Sequence, residues 1–413
     1  MARSGSGTDA AGAAAGGPLA GIRVLDLSTI QLGPFATGLM AEWGADVIKI
    51  EAPDGDPVRK IPPMRHAGMG SMFLGVSRDK RSLVLDLTVA EGRETLARLA
   101  ADADLLLHNF RPRPAKKLGV DYEALRAANP RLVFCTAVGY GSDGRYGDRG
   151  AYDDLIQGIS GVAGLVGRYL DDDPRYVPLA MADKAASFMV LGSVLAALVH
   201  ASRTGRGQAI EVPMFESLVH FVVTDHLTGR AFEPPLGEAG YVRQLSAHRK
   251  PFRTADGHVC ILPFSDANWR HFFAIAGAPE DADDPRFASV EARTENTSAL
   301  YARMEELAAR HPTAYWLAEL EKADIPFAPV NSLEDLLADP HLAEVGFFAE
   351  EDHPSEGRLR SWRAPTRFGG TPAAHRRPAP RLGEHSVEVL LEAGFDGEEV
   401  DALIAKGAVR AGD

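Results

Sequence analysis

Cysteine is scarce in this chain, with two residues, Cys135 and Cys260, among 413. Two thiols cannot build a disulfide framework or a cysteine-rich zinc site, and they point to a reducing compartment, the cytoplasm. Positive charge is also short. Forty-four Lys and Arg stand against 57 Asp and Glu, a net charge of −13. A nucleic-acid partner would call for a basic surface, so none is expected. No apolar run is long enough to cross roughly 30 Å of hydrocarbon. The longest, Phe188 to His200 (FMVLGSVLAALVH), reads as a buried core helix, and no membrane partner is expected. Residues 1–17, rich in Gly, Ala and Ser, lack the apolar segment of a secretory signal and read as a flexible lead.

Motifs are missing too. A dinucleotide-binding βαβ unit needs G-x-G-x-x-G after its first strand, whereas STIQLGP offers only Gly33. There is no G-x-x-x-x-G-K-[ST], H-E-x-x-H, C-x-x-C or G-x-S-x-G. NAD oxidoreductase, P-loop NTPase, zinc hydrolase and α/β-hydrolase readings lose their support, and no metal site is expected. Gly158, Gly161, Gly164 and Gly167, spaced by three, read as a close helix-packing stripe.

What is present is a rhythm. IRVLDL, DVIKIE, SLVLDL, DLLLHNF, RLVFCTAV and QAIEVP are strand-like runs separated by helical patterns such as GPFATGLMAEWG and AEGRETLARLAADA. Alternating strands and helices predict a doubly wound parallel α/β sheet with right-handed crossovers. Long helices are expected over Tyr152 to Val166, Met181 to Ser202 and Met214 to Thr228. The texture then changes to a hairpin, FRTADGHVCILPF, and short helices. The layout read from this is a large α/β domain over 18–224, a small α+β domain over 225–330, and a segment 331–413 that packs back on the large domain.

Several stretches, in order, resemble the class III CoA-transferase family, which includes formyl-CoA transferase, carnitine CoA-transferase and the α-methylacyl-CoA racemases. They are PLAGIRVLDLSTIQLGPFATGLMAEWGADVIKIE, DKRSLVLDL, HNFRPRPAKKLG, YDDLIQGISG, MADKAAS, TGRGQAIEVPMFES, FRTADGHV, IPFAPVNSLEDLLADPHL and LGEHSVEVL. The resemblance implies a large domain made from both chain ends, a small domain between, and two chains interlocked as a homodimer. It implies an acyl-CoA donor and a carboxylic acid acceptor, with CoA thioesters as substrates and no permanently bound cofactor.

It also assigns roles. Asp183 in MADKAAS matches the catalytic aspartate, although an aspartate early in a helix is equally a capping residue by itself. Gln31 is a candidate oxyanion donor. Tyr152 stands where the racemase branch has a histidine; a phenol of pKa about 10 is poorly suited to α-proton removal, which favours the transferase branch. The alternatives are an acyl-CoA racemase or epimerase, or a silent CoA-binding protein. Gln31, Leu32, Leu85, Asn109, Phe110, Arg111, Lys117 and Met214 match CoA-contacting positions. Arg111, Arg113, Lys116 and Lys117 could meet its phosphates. Ala52 and Thr88 depart from formyl-CoA transferase, which has cations there. His248, Arg249 and Lys250 could clamp the distal carboxylate of a dicarboxylic acid.

Overall fold

The structure is a computed structural model that describes residues 16–412; of the lead read over 1–17, residues 1–15 lie outside the described residues. Its centre is a seven-stranded sheet. Six strands, β1 (Arg23–Asp26), β2 (Asp46–Glu51), β3 (Lys80–Leu85), β4 (Leu105–His108), β5 (Val133–Val138) and β6 (Ala209–Pro213), lie in the order β3-β2-β1-β4-β5-β6. All their pairings are parallel. The short strand Val409–Arg410 closes the β3 edge antiparallel. The strand order reverses between β1 and β4, and in open α/β sheets ligands bind outside the carboxyl ends of the strands at such a reversal.

The two faces of this sheet are unlike. Side chains alternate along a strand, so Ile48 and Ile50 of β2 share one face with Leu25, Leu83, Leu106 and Phe134. Helices α3 (Ala90–Ala100) and α5 (Tyr122–Ala128) and the C-terminal helices cover that face with Leu96, Leu99, Leu125, Val389 and Leu390. The other face carries Asp26, Lys49, Glu51, Lys80 and Ser82, each at most 4% exposed. Register places Asp26 beside Lys49, and Lys49 beside Ser82. Helix α1 (Leu32–Glu42) lies over these charges: Thr37 donates to Asp26 at 2.6 Å, and Lys80 donates to the Pro34 carbonyl at 2.9 Å.

The remaining helices depart from the sequence reading in three ways. The helix expected over Tyr152 to Val166 is two, α6 (Asp153–Ile159) and α7 (Val162–Leu170), broken at Gly161, whose φ of 92° is open to glycine. The spaced glycines are not a packing stripe. A Cβ at Gly158, Gly161 or Gly164 would meet nothing within 4 Å among the described residues; Gly167 alone is crowded, by the Asp172 carbonyl at 2.9 Å. Third, the apolar run at Phe188 belongs to α8 (Met181–Thr204), whose 24 residues are long and apolar enough to cross a membrane. Only one stripe of it is buried within the protein, while Phe188, Met189 and Val199 of the run read as a core helix are exposed. Ala182, Ala186, Val190, Val194, Ala197 and Ala201 form a buried stripe at helical spacing, and Phe188 meets Phe35 of α1 edge-on at 5.6 Å.

The chain groups into two compact units. The first runs to Ser160 and includes Pro178–Val219 and everything from Val345 onward; the second comprises Gly161–Val177 and His220–Glu344. These bounds differ from the sequence layout by moving residues 161–177, 220–224 and 331–344 to the second unit. The first unit also contains a hairpin, β10 (Phe348–His353) with β11 (Gly357–Trp362), where only short helices were expected. The second unit has a three-stranded antiparallel sheet, β7 (Phe252–Arg253), β8 (His258–Ile261) and β9 (Phe327–Pro329), and its own core around Phe272, Phe273, Met304 and Trp316. The expected FRTADGHV hairpin is its β7–β8 pair.

Candidate active site

The reversal point is bridged by a clamp. Asn109, just beyond β4, accepts from the Thr29 N–H at 3.0 Å and donates to the Thr29 carbonyl at 2.9 Å, tying the ends of β4 and β1 together. Between them Ile30 has φ 71°, a left-handed conformation that strains a β-branched residue. Asp56 holds it there, its Oδ1 accepting from the Ile30 N–H at 3.1 Å while Oδ2 pairs with Lys49 at 2.8 Å. Gly33 follows because nothing larger fits: a Cβ there would lie 2.1 Å from Ser28 Oγ. No side chain caps α1, whose N-terminus therefore faces the reversal point with its backbone donors and positive dipole end.

Beneath the clamp lies the charged face. Asp26 accepts from Ser28, Thr37 and Lys80, the last at 3.0 Å. Burial pushes its carboxyl up, but Lys80 and Lys49, with the Ser28 and Thr37 hydroxyls, outweigh burial and hold it at about 2. Glu51 is held low in the same way. Burial raises it, and the Arg59 guanidinium, bonded to both its oxygens at 2.7 Å, more than reverses this.

Asp183 is the contrasting carboxylate. It lies in the first turn of α8, half-buried, and its side chain accepts no hydrogen bond among the described residues. The capping role open to it in sequence is not the one it plays. Asp153 of α6 does the capping instead, accepting from the Asp183 N–H at 2.9 Å. Gln157 fixes Asp153 with a bond of 2.6 Å and reaches the Leu179 carbonyl at 3.1 Å. Burial, then the negative Asp153, push the Asp183 carboxyl up to about 7, with Lys184 opposing. Ser187 Oγ sits 2.6 Å from the Leu32 carbonyl and 2.7 Å from that of Asp183, which sets the start of α8 beside the start of α1.

The structure thus joins Asp183 to Gln31 and Leu32 through α1, and Asn109 and Phe110 to the same reversal point. Gln31 spends its amide on the Met72 thioether at 2.8 Å. A cavity of about 400 Å³ opens beside it, with Phe35, Leu39, Met72, Trp362 and Lys184 in its walls. Tyr152 precedes Asp153 and is 67% exposed. Arg111 and Lys117 are exposed at α4 (Pro112–Lys117), directly after β4, and Arg113 pairs with Asp148 at 3.3 Å. The Leu85 side chain is 1% exposed, inside the apolar core. Leu32 and Met214 are also buried.

Other residues escaped the sequence reading. His108 ends β4, where burial lowers its pKa to about 4. Its Nδ1 accepts from the Phe110 N–H at 3.2 Å, so Nε2 carries the proton and donates to Thr136 Oγ1 at 3.2 Å. Arg93 places its guanidinium on the carbonyls of Leu87 and Thr88, supplying a cation next to the position where Thr88 has none. In the second unit, the proposed clamp is mostly spent. His248 and Lys250 both bond Glu305, at 3.1 and 2.9 Å, and hold its carboxyl below the usual range, leaving only Arg249 without an acid partner among the described residues.

Residues 19–386 match the model of CoA-transferase family III. The chain belongs to this family. Among CoA-transferases it is similar to the succinate–glutarate CoA-transferase of Agrobacterium fabrum, 32% identical over 386 residues that cover 91% of this chain and 95% of that protein. It is also similar to the formyl-CoA:oxalate CoA-transferase of Escherichia coli, 30% identical over 95% of this chain and 99% of that one. Among solved structures, a CaiB/BaiF family protein from Brucella suis superposes with a TM-score of 0.78 at 32% identity, covering 92% of this chain and all of that one. Family membership makes this protein a CoA-transferase with CoA thioesters as substrates.

Proposed function

We propose that this CoA-transferase passes CoA from an acyl-CoA donor to a free carboxylic acid through a thioester on Asp183. One observation carries the reading: Asp183 is the site's half-buried carboxylate that accepts no hydrogen bond among the described residues, beside the uncapped start of α1. A carboxylate of raised pKa is a stronger nucleophile once ionised, and near pH 7 a large share of it is ionised. Asp183 Oδ attacks the donor thioester carbonyl and the C–S bond breaks, giving a mixed anhydride and CoA thiolate. The thiolate attacks the aspartyl carbonyl and expels the donor acid as its carboxylate. The acceptor carboxylate then attacks the aspartyl thioester, and the thiolate returns to the acceptor's carbonyl, regenerating Asp183. No water is consumed and no resident cofactor is needed.

Gln31 is the proposed oxyanion donor. A thioether is a weak acceptor, so the amide exchanges Met72 for a developing oxyanion at little cost. Tyr152 completes the proposed wall next to Asp153. CoA lies at the reversal point, against Leu32, Asn109, Phe110 and Met214, with Arg111 and Lys117 and the α1 N-terminus toward its phosphates. Two chains are proposed to pair, since Tyr152 just before α6, Leu155 and Ile159 of α6, and Phe188 and Met189 of α8 leave apolar surface exposed. Sedimentation giving a folded monomer at nanomolar concentration would reject the pairing. The free thiols Cys135 and Cys260 fit a cytoplasmic setting.

Trapping tests the mechanism. Enzyme mixed with donor and no acceptor, then hydroxylamine, is expected to carry an aspartyl hydroxamate on the peptide containing Asp183. Label on Asp153 or Asp154 would move the nucleophile, and unmodified peptides with continued transfer would replace the covalent route by a ternary complex.

A further inference from the structure

The cavity beside Gln31 has a chemistry that CoA transfer in general does not require. Its walls are apolar, yet three cations, Arg78, Lys184 and Arg363, reach it against a single acid, Glu42. Arg78 is matched by that acid, Nη2 to Oε1 at 2.6 Å, and lies over the Trp362 ring at 4.7 Å. Arg363 bonds only backbone carbonyls, those of Val345, Ala364 and Pro365, which fix the guanidinium without neutralising it. Lys184 forms no ion pair among the described residues and acts on the Asp183 carboxyl only through space. In a chain of net charge −13, this cavity keeps an excess of two positive charges.

We infer that the cavity seats the distal carboxylate of a dicarboxylic acyl group, with Lys184 and Arg363 as its counter-ions and Phe35, Leu39 and Trp362 lining the intervening methylenes. Its 400 Å³ is at the small end of ligand pockets, roughly 300–1,000 Å³, which suits a short acid rather than a fatty one. Gln31, the proposed oxyanion donor, shares this cavity's wall with Lys184, so a group held by Lys184 has its other end directed toward the proposed reaction site. This rests on Asp183 as the reactive carboxylate. In a two-stage exchange the donor acid leaves before the acceptor enters, so one seat selects both. A monocarboxylic acid of equal length would leave both cations unanswered, the kind of mismatch by which polar sites reject analogues. The triad at 248–250 is the weaker candidate, because Glu305 already bonds two of its members.

The test compares glutarate with valerate, and succinate with butyrate, as acceptors from one acyl-CoA donor. Assays at pH 8.5 keep Asp183 ionised in wild type and variants alike. Lys184→Met is expected to raise KM for the diacids tenfold or more and for the monoacids less than threefold, with Lys184→Arg recovering most of the preference. Lys184→Gln, polar and of similar reach, carries the same comparison if Lys184→Met does not fold. Equal losses for both acid classes would assign Lys184 a purely structural or Asp183-directed role and overturn the seat. Unchanged KM values would overturn it as well. A wild-type enzyme that transfers CoA freely but prefers monoacids sinks the seat alone, whereas one that transfers to no acid sinks the functional reading with it.

Discussion

The charged face of the sheet and the start of α8 both take a carboxylate out of water, and they treat it in opposite ways. Asp26 is completely buried, and two lysines and two hydroxyls hold it at about 2. Asp183 is less buried, has an acid for its neighbour, and stands at about 7. Burial alone therefore does not decide the outcome; the company does. A satisfied carboxylate is inert and shapes the loop above it. An unsatisfied one keeps its electrons for chemistry.

The sharpest way to break the contrast is to remove the starved group. Asp183→Ala is expected to lower transfer by about 10³-fold or more while CoA still binds and the fold survives; near-wild-type turnover would refute the assignment. Next in size is the satisfied group. Lys80→Met strands Asp26 in the interior and is expected to cost about 3–5 kcal/mol of stability, read by urea unfolding. A third test uses the opposite signs. Asp26, depressed, adds stability above its unfolded pKa of about 4 that is lost as pH falls toward 2. Asp183, raised, binds a proton more tightly when folded, so its share of stability declines as pH rises from about 4 to 7. Asp183→Asn should thus melt a few degrees above wild type at pH 8 and level with it at pH 4; the same gap at both would dismiss the titration. The smallest effect is expected from Asp153→Asn, which keeps an acceptor for the Asp183 N–H and removes the charge. The acid limb of the pH–rate profile should move down by about half a unit, and an upward move would contradict the electrostatic role.

How legible was this in the sequence? The β1–β6 rhythm was, because each strand is a short apolar run bounded by turn residues. The order of stretches such as HNFRPRPAKKLG and MADKAAS pointed to the family. The two faces were less so: DVIKIE alternates like a strand with one side in water, yet Lys49 is fully buried by ions placed 31 and 7 residues further on, at Lys80 and Asp56. The β10–β11 hairpin escaped because FAEEDH and GRLRSW are polar and largely exposed, with little apolar alternation to announce them. At the site, Asp183 and Asn109 stood out by resemblance. Asp153 as the cap of another helix, and Lys184 as a cavity wall, depend on which helices meet, which no local pattern encodes.

The chain passes between its two units four times, at residues 160/161, 177/178, 219/220 and 344/345. The consequence is genetic. Neither unit is spelled by one uninterrupted stretch of codons, so no single crossover with a relative's gene can exchange a unit whole. The first such excursion, 161–177, even falls between Asp153 and Asp183, the acid and the proposed nucleophile it braces. A recombinant breaking there would bring those two residues from different parents. New acid preferences in such a molecule are reached by point changes around the proposed nucleophile, and a library built to find them should scatter substitutions rather than shuffle blocks.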